Sequence, residues 1–243
     1  MTESKVWLIT GASRGIGLAL AKRALDNGDR VALLARGDKV HALAAELGEY
    51  CLPCQADVGD PDSISTAVDT IIESWGRLDV VVNNAGLHRG GRVGKLDNDD
   101  WQAVLDTNLS GARNVIRAAE PHLPAGGAII NVGAVVGFRG FPGDAAYAAS
   151  KAGLAGLTRA LAIEFARREI SVNLVIPGLV LTEMTEALSE KALESMRQII
   201  PMARYGQPEE IAECIDYVSR CRYMTGAFIP ADGGLMSSFG IPG

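Results

Sequence analysis

Short apolar runs of strand length alternate with amphipathic stretches of helix length along this chain, and no other feature narrows the fold as much. Runs at residues 5–10, 30–35, 50–55, 78–82, 128–132, 170–176 and 226–229 read as strands. Between them, patterns of helical period run to about residue 27 and over residues 39–47, 62–75, 99–122, 144–168 and 208–220. The run at 78–82 is dominated by aliphatic side chains, as in a strand covered on both faces. Strand–helix alternation implies a parallel sheet reached by right-handed crossovers. The expected architecture is therefore α/β: a single-domain, doubly wound parallel sheet of about seven strands with helices on both faces. No repeat, linker or low-complexity segment divides the chain.

In such a sheet, ligands bind beyond the carboxyl ends of the strands. The first strand runs into Gly11-Ala-Ser-Arg-Gly-Ile-Gly17 and then into a helix. Strand, glycine turn and helix together are the context of a dinucleotide site, and they make the sheet Rossmann-like. Glycines let the backbone turn tightly and let phosphate approach bare amides at a helix N-terminus. The spacing Gly11, Gly15, Gly17 is one residue longer than the common Gly-x-Gly-x-x-Gly. At the end of the second strand, where an NAD site wants a carboxylate for the ribose hydroxyls, this chain has Ala35 and Arg36. With Arg14 in the glycine turn, two guanidinium groups are placed to clamp a 2′-phosphate, which favours NADP(H); the alternative is two surface arginines.

Further along, Tyr147 and Lys151 lie one turn apart on a helix that begins near Asp144, a good N-cap residue. A cation beside a phenol favours the phenolate. A tyrosine alone titrates near ~10, too high for efficient acid–base work at neutral pH. The pair therefore reads as a proton donor and acceptor; the plain alternative is a solvated lysine beside a half-buried tyrosine.

The chain carries a net charge of −6 and shows no basic stripe, which argues against nucleic acid as the main partner. No apolar run approaches the roughly 20 residues of a membrane helix. A polar tetrapeptide leads straight into the first strand, so a cytoplasmic protein without a signal peptide is expected. Cys51 and Cys54 are spaced like a redox or metal pair, but no second cysteine pair or histidine cluster stands at zinc spacing. They read better as small hydrophobes in a buried strand, and no metal is expected.

Taken together, Thr10-Gly-x-x-x-Gly-x-Gly17, Asp57, Asn83-Asn-Ala-Gly86, Asn108, Tyr147-x-x-x-Lys151 and Pro177-Gly178 resemble the short-chain dehydrogenases/reductases over nearly the whole chain. Within that family the chain is most similar to the 3-oxoacyl-(acyl-carrier-protein) reductases and acetoacetyl-CoA reductases. The cues are Thr10-Gly-Ala-Ser-Arg-Gly-Ile-Gly17, Tyr147-Ala-Ala-Ser-Lys-Ala-Gly-Leu154 and Ile229-Pro-Ala-Asp-Gly-Gly234. The resemblance implies an NADPH-dependent reductase of a ketone, most readily a 3-oxoacyl thioester linked to carrier protein or coenzyme A. It implies that Tyr147 passes its proton to the carbonyl oxygen, that Lys151 holds the nicotinamide ribose and lowers the phenol's pKa, and that Asn108 anchors a water. It assigns Gly11, Ser13, Arg14, Gly15, Ile16, Gly17 and Arg36 to the phosphates, and Asp57 and Val58 to the adenine. Asn83, Ala85 and Gly86 fall along the adenosine and ribose; Val180 and Thr182 meet the carboxamide, and Pro177 and Gly178 also belong to the cofactor site. It also implies a homotetramer built on the two long helices.

One position departs from the family pattern. The serine expected thirteen residues before the tyrosine, which bonds the substrate carbonyl, is Ala134. No Ser or Thr lies between Asn131 and Tyr147, and Ser150 shares the tyrosine's helix. Losing one preorganised donor at a developing oxyanion costs about 10²–10³ in rate. Three readings follow: a slow enzyme in which Tyr147 does both jobs, an engineered Ser-to-Ala variant, or a weakly catalytic NADP-binding subunit. A secondary-alcohol or cyclic-ketone dehydrogenase is the alternative enzyme. Acyl-carrier protein is acidic and calls for a basic docking face. Arg167 and Arg168 could supply it, or could equally be favourable charges at a helix C-terminus. Residues 182–200 look helical between breakers, as a mobile lid would, and the loop over residues 138–143 would help shape the pocket.

Overall fold

The computed structural model describes residues 4–181 and 190–238. The strands are β1 (Val6–Thr10), β2 (Arg30–Ala35), β3 (Cys51–Gln55), β4 (Val80–Asn83), β5 (Ala128–Val132), β6 (Ser171–Pro177) and β7 (Phe228–Ala231). They form one sheet in the order β3-β2-β1-β4-β5-β6-β7, and every pairing is parallel. The helices are α1 (Gly15–Asp26), α2 (Lys39–Leu47), α3 (Pro61–Trp75), α4 (Asn98–Leu105), α5 (Gly111–Ala119), α6 (Val136–Arg139), α7 (Ala145–Phe165), α8 (Glu190–Gln198) and α9 (Pro208–Arg220). The chain winds outward from β1 to β3 and then returns to place β4 on the other side of β1. That reversal opens a crevice beyond the carboxyl ends of β1 and β4.

Both faces of the sheet are covered. Side chains alternate along β1, so Val6 and Leu8 join one core and Trp7 and Ile9 the other. The first core packs on Ile64, Val68 and Ile71 of α3, Val115 and Ile116 of α5, and Ala162 and Phe165 of α7. The second packs on Leu20, Ala21 and Ala24 of α1, Val40 of α2, and Ile211, Ala212 and Ile215 of α9. Cys51 and Cys54 are buried free thiols on β3, pushed up to about 11 and about 12 by burial. A redox or metal role does not suit thiols held protonated in this way. No helix among the described residues is long and apolar enough to cross a membrane.

Four local expectations are corrected. The helix expected over residues 99–122 is interrupted: a π-helical turn, Asp106–Ser110, separates α4 from α5, and a 3₁₀ turn, Glu120–His122, ends it. The helical period continues through the π turn, so pattern alone conceals it. Asp144 precedes α7 but makes no side-chain cap; its carboxylate is taken by His88 instead. The loop expected over 138–143 begins inside the short helix α6. Helix α7 stops at Phe165, and a 3₁₀ turn, Ala166–Arg168, follows it. Of the stretch expected to form a lid, 190–198 is helical and 182–189 lies outside the described residues.

Candidate active site

The glycine turn closes on a second loop rather than standing alone. Thr10 Oγ1 accepts from the backbone amides of Asn84 and Ala85 at 3.0 and 2.9 Å. Asn84 Nδ2 donates to the carbonyls of Thr10 and Gly11 at 2.9 and 3.2 Å. The ends of β1 and β4 are thereby fastened together, and no room is left for larger residues. A Cβ on Gly11 would stand 2.8 Å from Ala85 Cα, and one on Gly17 would stand 2.5 Å from the Gly11 carbonyl oxygen. Gly11 and Gly15 also adopt φ of +64° and +53°, a conformation that costs other residues energy.

Beyond this turn lies a cleft of about 640 Å³. At one end it is lined by Ser13, Arg14, Arg36 and Lys39, with Ala56 and Val58. Arg36 is exposed, and its guanidinium lies 4.0 Å from the Asp57 carboxylate. Lys39 is a third cation that sequence reading missed. Its position as the first residue of α2, three beyond Arg36, is the signal that could have found it. At the other end the walls are Gly133, Ala134, Val135, Tyr147, Lys151 and Gly178. Gly178 is packed onto the Asp232-Gly-Gly turn, where a Cβ would come 2.6 Å from Asp232 Cα. Asp232 holds that turn by accepting from the amides of Gly234 and Met236.

The corner that holds Tyr147 and Lys151 is built from three elements. Tyr147 is half-buried on α7; Lys151, one turn on, is only 3% exposed. Lys151 Nζ donates to the Val132 carbonyl at 2.8 Å and stands 5.7 Å from the centre of the Tyr147 ring. Burial draws the ammonium down to about 8. The phenol does not follow the simple expectation of a lysine-lowered pKa. Burial, and next the charge of Asp144, push Tyr147 up to about 12. Desolvation of the phenolate outweighs a cation that is itself being neutralised.

Asn108 sits on the π turn, a frequent companion of functional sites. Its Oδ1 accepts from the Leu87 amide at 2.7 Å, and its Nδ2 donates to the Leu87 carbonyl at 2.9 Å and to Ser150 Oγ at 3.0 Å. Ser150 is buried, and its hydroxyl donates to the Tyr147 carbonyl at 2.8 Å. Ser150 is therefore occupied beneath the tyrosine's helix and does not face the cleft in place of the absent serine.

The structure gathers most of the expected residues on one cleft. Gly11, Ser13, Arg14, Gly15, Ile16, Arg36, Val58, Ala85, Gly86, Ala134, Tyr147, Lys151, Pro177, Gly178 and Val180 all line it. Gly17, Asp57, Asn83 and Asn108 do not line it: Gly17, Asn83 and Asn108 are buried, and Asp57 is half exposed beside Arg36. Asn83 donates to Asn131 Oδ1 at 2.8 Å, and Asn131 in turn donates to Thr158 Oγ1 at 2.9 Å, so these amides join β4, β5 and α7. Asn84, not Asn83, reaches the cleft, as does Thr107 on the π turn. Thr182 lies outside the described residues. Arg168 is engaged by the Glu120 carboxylate and by its carbonyl at 2.8 Å, which favours an anchoring role for that arginine over docking. Among the described residues no group of three or more His, Cys, Asp or Glu could hold a metal ion.

Comparison with known proteins bears on this arrangement. Residues 11–236 match the family model described as Enoyl-(Acyl carrier protein) reductase. The chain is 40% identical over 244 residues to the 3-oxoacyl-[acyl-carrier-protein] reductase FabG of Staphylococcus aureus, a match that covers 97% of this chain and 99% of that protein. A Serratia marcescens short-chain dehydrogenase/reductase carrying two substitutions superposes with a TM-score of 0.91 at 36% identity, covering 96% of this chain and 98% of that one. A blue fluorescent protein from a metagenomic library, solved in complex with NADPH, superposes with a TM-score of 0.90 at 35% identity, covering 95% and 97%.

Proposed function

The chain belongs to the short-chain dehydrogenase/reductase family of oxidoreductases, and from that premise we propose that it reduces the ketone of a 3-oxoacyl thioester to a secondary alcohol with NADPH. One observation carries the reading. A basic end with Arg14, Arg36 and Lys39 and a phenol–ammonium end with Tyr147 and Lys151 share a single cleft, with the glycine turn along its wall. The cradle suits a dinucleotide, because Gly11, Ser13 and Gly15 line the cleft at the N-terminus of α1, where backbone amides favour phosphate. The FabG relative supplies the substrate class, and the arginines favour the 2′-phosphate form of the cofactor.

When bound, the reduced nicotinamide supplies the hydride. The chain supplies the rest. Arg14, Arg36 and Lys39 hold phosphate charge at the adenosine end. Tyr147, kept protonated by its surroundings, delivers its proton to the carbonyl oxygen as charge develops there. Lys151 holds the ribose and offsets the phenolate left behind. Asn108 fixes the loop after Gly86 and anchors the water that returns a proton to the tyrosine. Carbon gains a hydride and oxygen a proton, so the products are the alcohol and NADP⁺.

Ala134 favours a second reading, a nucleotide-binding subunit with little turnover. It presents a methyl group on the wall where the family has a hydroxyl. Mixing the protein with NADPH and acetoacetyl-CoA and following nicotinamide absorbance separates the two. Steady oxidation of NADPH supports the reductase. Tight NADPH binding without oxidation, in the wild type and in Ala134→Ser alike, supports the subunit. Carrier-protein thioesters assayed beside the coenzyme A ester identify the preferred carrier.

The chain is proposed to act as one domain and to assemble as a homotetramer through its long helices. Ile163 is 80% exposed on α7, and a Cβ at Gly156 would meet nothing within 4 Å, which leaves room for a close helix neighbour. Light scattering coupled to size-exclusion chromatography tests the assembly.

A further inference from the structure

His88 follows the Asn83-Asn-Ala-Gly86 turn by two residues and lies outside every motif named above. Its Nε2 is 2.9 Å from Asp144 Oδ1. Its ring meets the Tyr147 ring edge-on, with centroids 5.2 Å apart and planes at 77°. The pair is held from both sides. On the loop side, Asn108 clasps the backbone of Leu87, the neighbour of His88. On the helix side, the Gly91 amide donates to the Gly143 carbonyl at 2.7 Å, and Gly91 forms a parallel bridge with Asp144. A Cβ at Gly90 would lie 3.4 Å from His88 Cε1 and 3.5 Å from Asp144 Oδ1, so glycine lets the loop wrap closely over the pair.

We propose that His88 is a positioning residue for Tyr147: it clasps Asp144 through Nε2 and packs its ring nearly perpendicular to that of the phenol. The inference rests on the reading of Tyr147 as proton donor given above. In this site no hydroxyl from position 134 steadies the reacting end, and a ring packed against the tyrosine constrains it from the side. The clasp also has an electrostatic side. The charged groups facing the phenol are Asp144, just before α7, and Lys151, one turn beyond; His88 is the third ionisable neighbour. A carboxylate near a phenol opposes its ionisation. An imidazole N–H bonded to that carboxylate draws part of its charge away. Removing His88 leaves Asp144 bare against the phenol and opposes ionisation further; removing the charge of Asp144 favours ionisation.

The test uses the full-length protein and three variants, His88→Ala, His88→Phe and Asp144→Asn. NADPH fluorescence should give dissociation constants within about threefold of wild type for all three. With acetoacetyl-CoA and NADPH, His88→Ala and Asp144→Asn should each lower kcat by about tenfold, with KM within about twofold, as expected when a reacting group is misaligned. Ionisation of Tyr147 is read separately, without nucleotide, from the Cζ resonance of ¹³C-labelled tyrosine, assigned with Tyr147→Phe. At pH 11 the ionised fraction should rise about threefold in Asp144→Asn and fall in His88→Ala, a change of roughly half a pKa unit each way. His88→Phe keeps a ring beside the phenol, preserves the packing and loses only the clasp, so it should also lower the ionised fraction. Unchanged ionisation, or a shift in the same direction for His88→Ala and Asp144→Asn, overturns the proposal, and so does an undiminished kcat in His88→Ala. Absence of turnover in the wild type would remove the ketoreductase reading and leave the resonance measurement to decide this one.

Discussion

Lys151 Nζ donates to the Val132 carbonyl at 2.8 Å, so the buried cation on α7 is tied to the last residue of β5. Burial holds this ammonium at about 8, whereas an unfolded lysine keeps its proton to ~10.4. Between those values the unfolded chain binds a proton that the folded chain lacks, so the cost of burying the charge is full below pH 8 and fades as pH rises. Lys151→Met should therefore gain about 2 kcal/mol less, relative to wild type, at pH 9.5 than at pH 7. Urea denaturation at the two values measures it. A difference independent of pH would mean that the ammonium is not desolvated. Cys51, Cys54 and Tyr147, all raised by burial, bring an opposite loss of stability at high pH, but both proteins contain them, so the test reads the difference between wild type and variant rather than either stability alone.

Ala134 lies on the cleft wall with Tyr147 and Lys151. Restoring a hydroxyl there should restore a donor to the developing oxyanion, raising kcat by about 10²-fold with little change in NADPH affinity. The measurement is steady-state reduction of acetoacetyl-CoA by wild type and Ala134→Ser. An unchanged kcat would show that the loop after β5 does not aim this position at the carbonyl.

Arg36 stands at the basic end of the cleft, exposed and 4.0 Å from Asp57. Arg36→Asp replaces a cation by an acceptor suited to ribose hydroxyls and repels a 2′-phosphate. The ratio of NADPH to NADH affinity should fall by about tenfold or more, since 1.4 kcal/mol of lost ion pairing is worth a factor of ten. Nucleotide fluorescence titrations read the ratio. An unaltered preference would exclude the arginine clamp and leave Arg14 and Lys39 as the phosphate ligands.

Gly17 has no room for a methyl group: a Cβ would meet the Gly11 carbonyl oxygen at 2.5 Å and Asn84 Nδ2 at 2.7 Å. Gly17→Ala should cost about 1–3 kcal/mol of stability through forced backbone movement. It should also weaken NADPH binding, because the same movement spreads the turn. Gly28→Ala is a poor control, since Gly28 has a φ of +80°, but a Cβ at Gly94 meets nothing within 4 Å and its φ is not in the left-handed region, so Gly94→Ala should leave both measurements nearly unchanged.

Much of this molecule was legible in the chain itself, and the misses have identifiable causes. The parallel sheet followed from alternation, because strands such as Val80–Asn83 are buried on both faces. The π turn at Asp106–Ser110 was hidden because helical period runs straight through it; Asn108, bonded to the backbone of Leu87 twenty-one residues earlier, accompanies it. Asp144 looked like a helix cap because of its residue type and position, yet its carboxylate is bonded to His88 on a distant loop. Lys39 was within reach of spacing, three residues beyond Arg36, whereas Asn84 became visible as a cleft residue only once β1 and β4 stood side by side.

Residue order by itself determined the sheet, the glycine turn, the basic residues after β1 and β2, and the Tyr147–Lys151 pair on one helix. Each of these depends on neighbours within a turn or a strand, which spacing records. Tertiary structure alone decided how the pair ionises and what surrounds it. Spacing placed a cation beside a phenol and implied an easily lost proton. Burial reversed that, holding Tyr147 up to about 12 and Lys151 down to about 8. Desolvation depends on everything packed around a group, and the Val132 carbonyl, Asp144 and His88 come from three different parts of the chain.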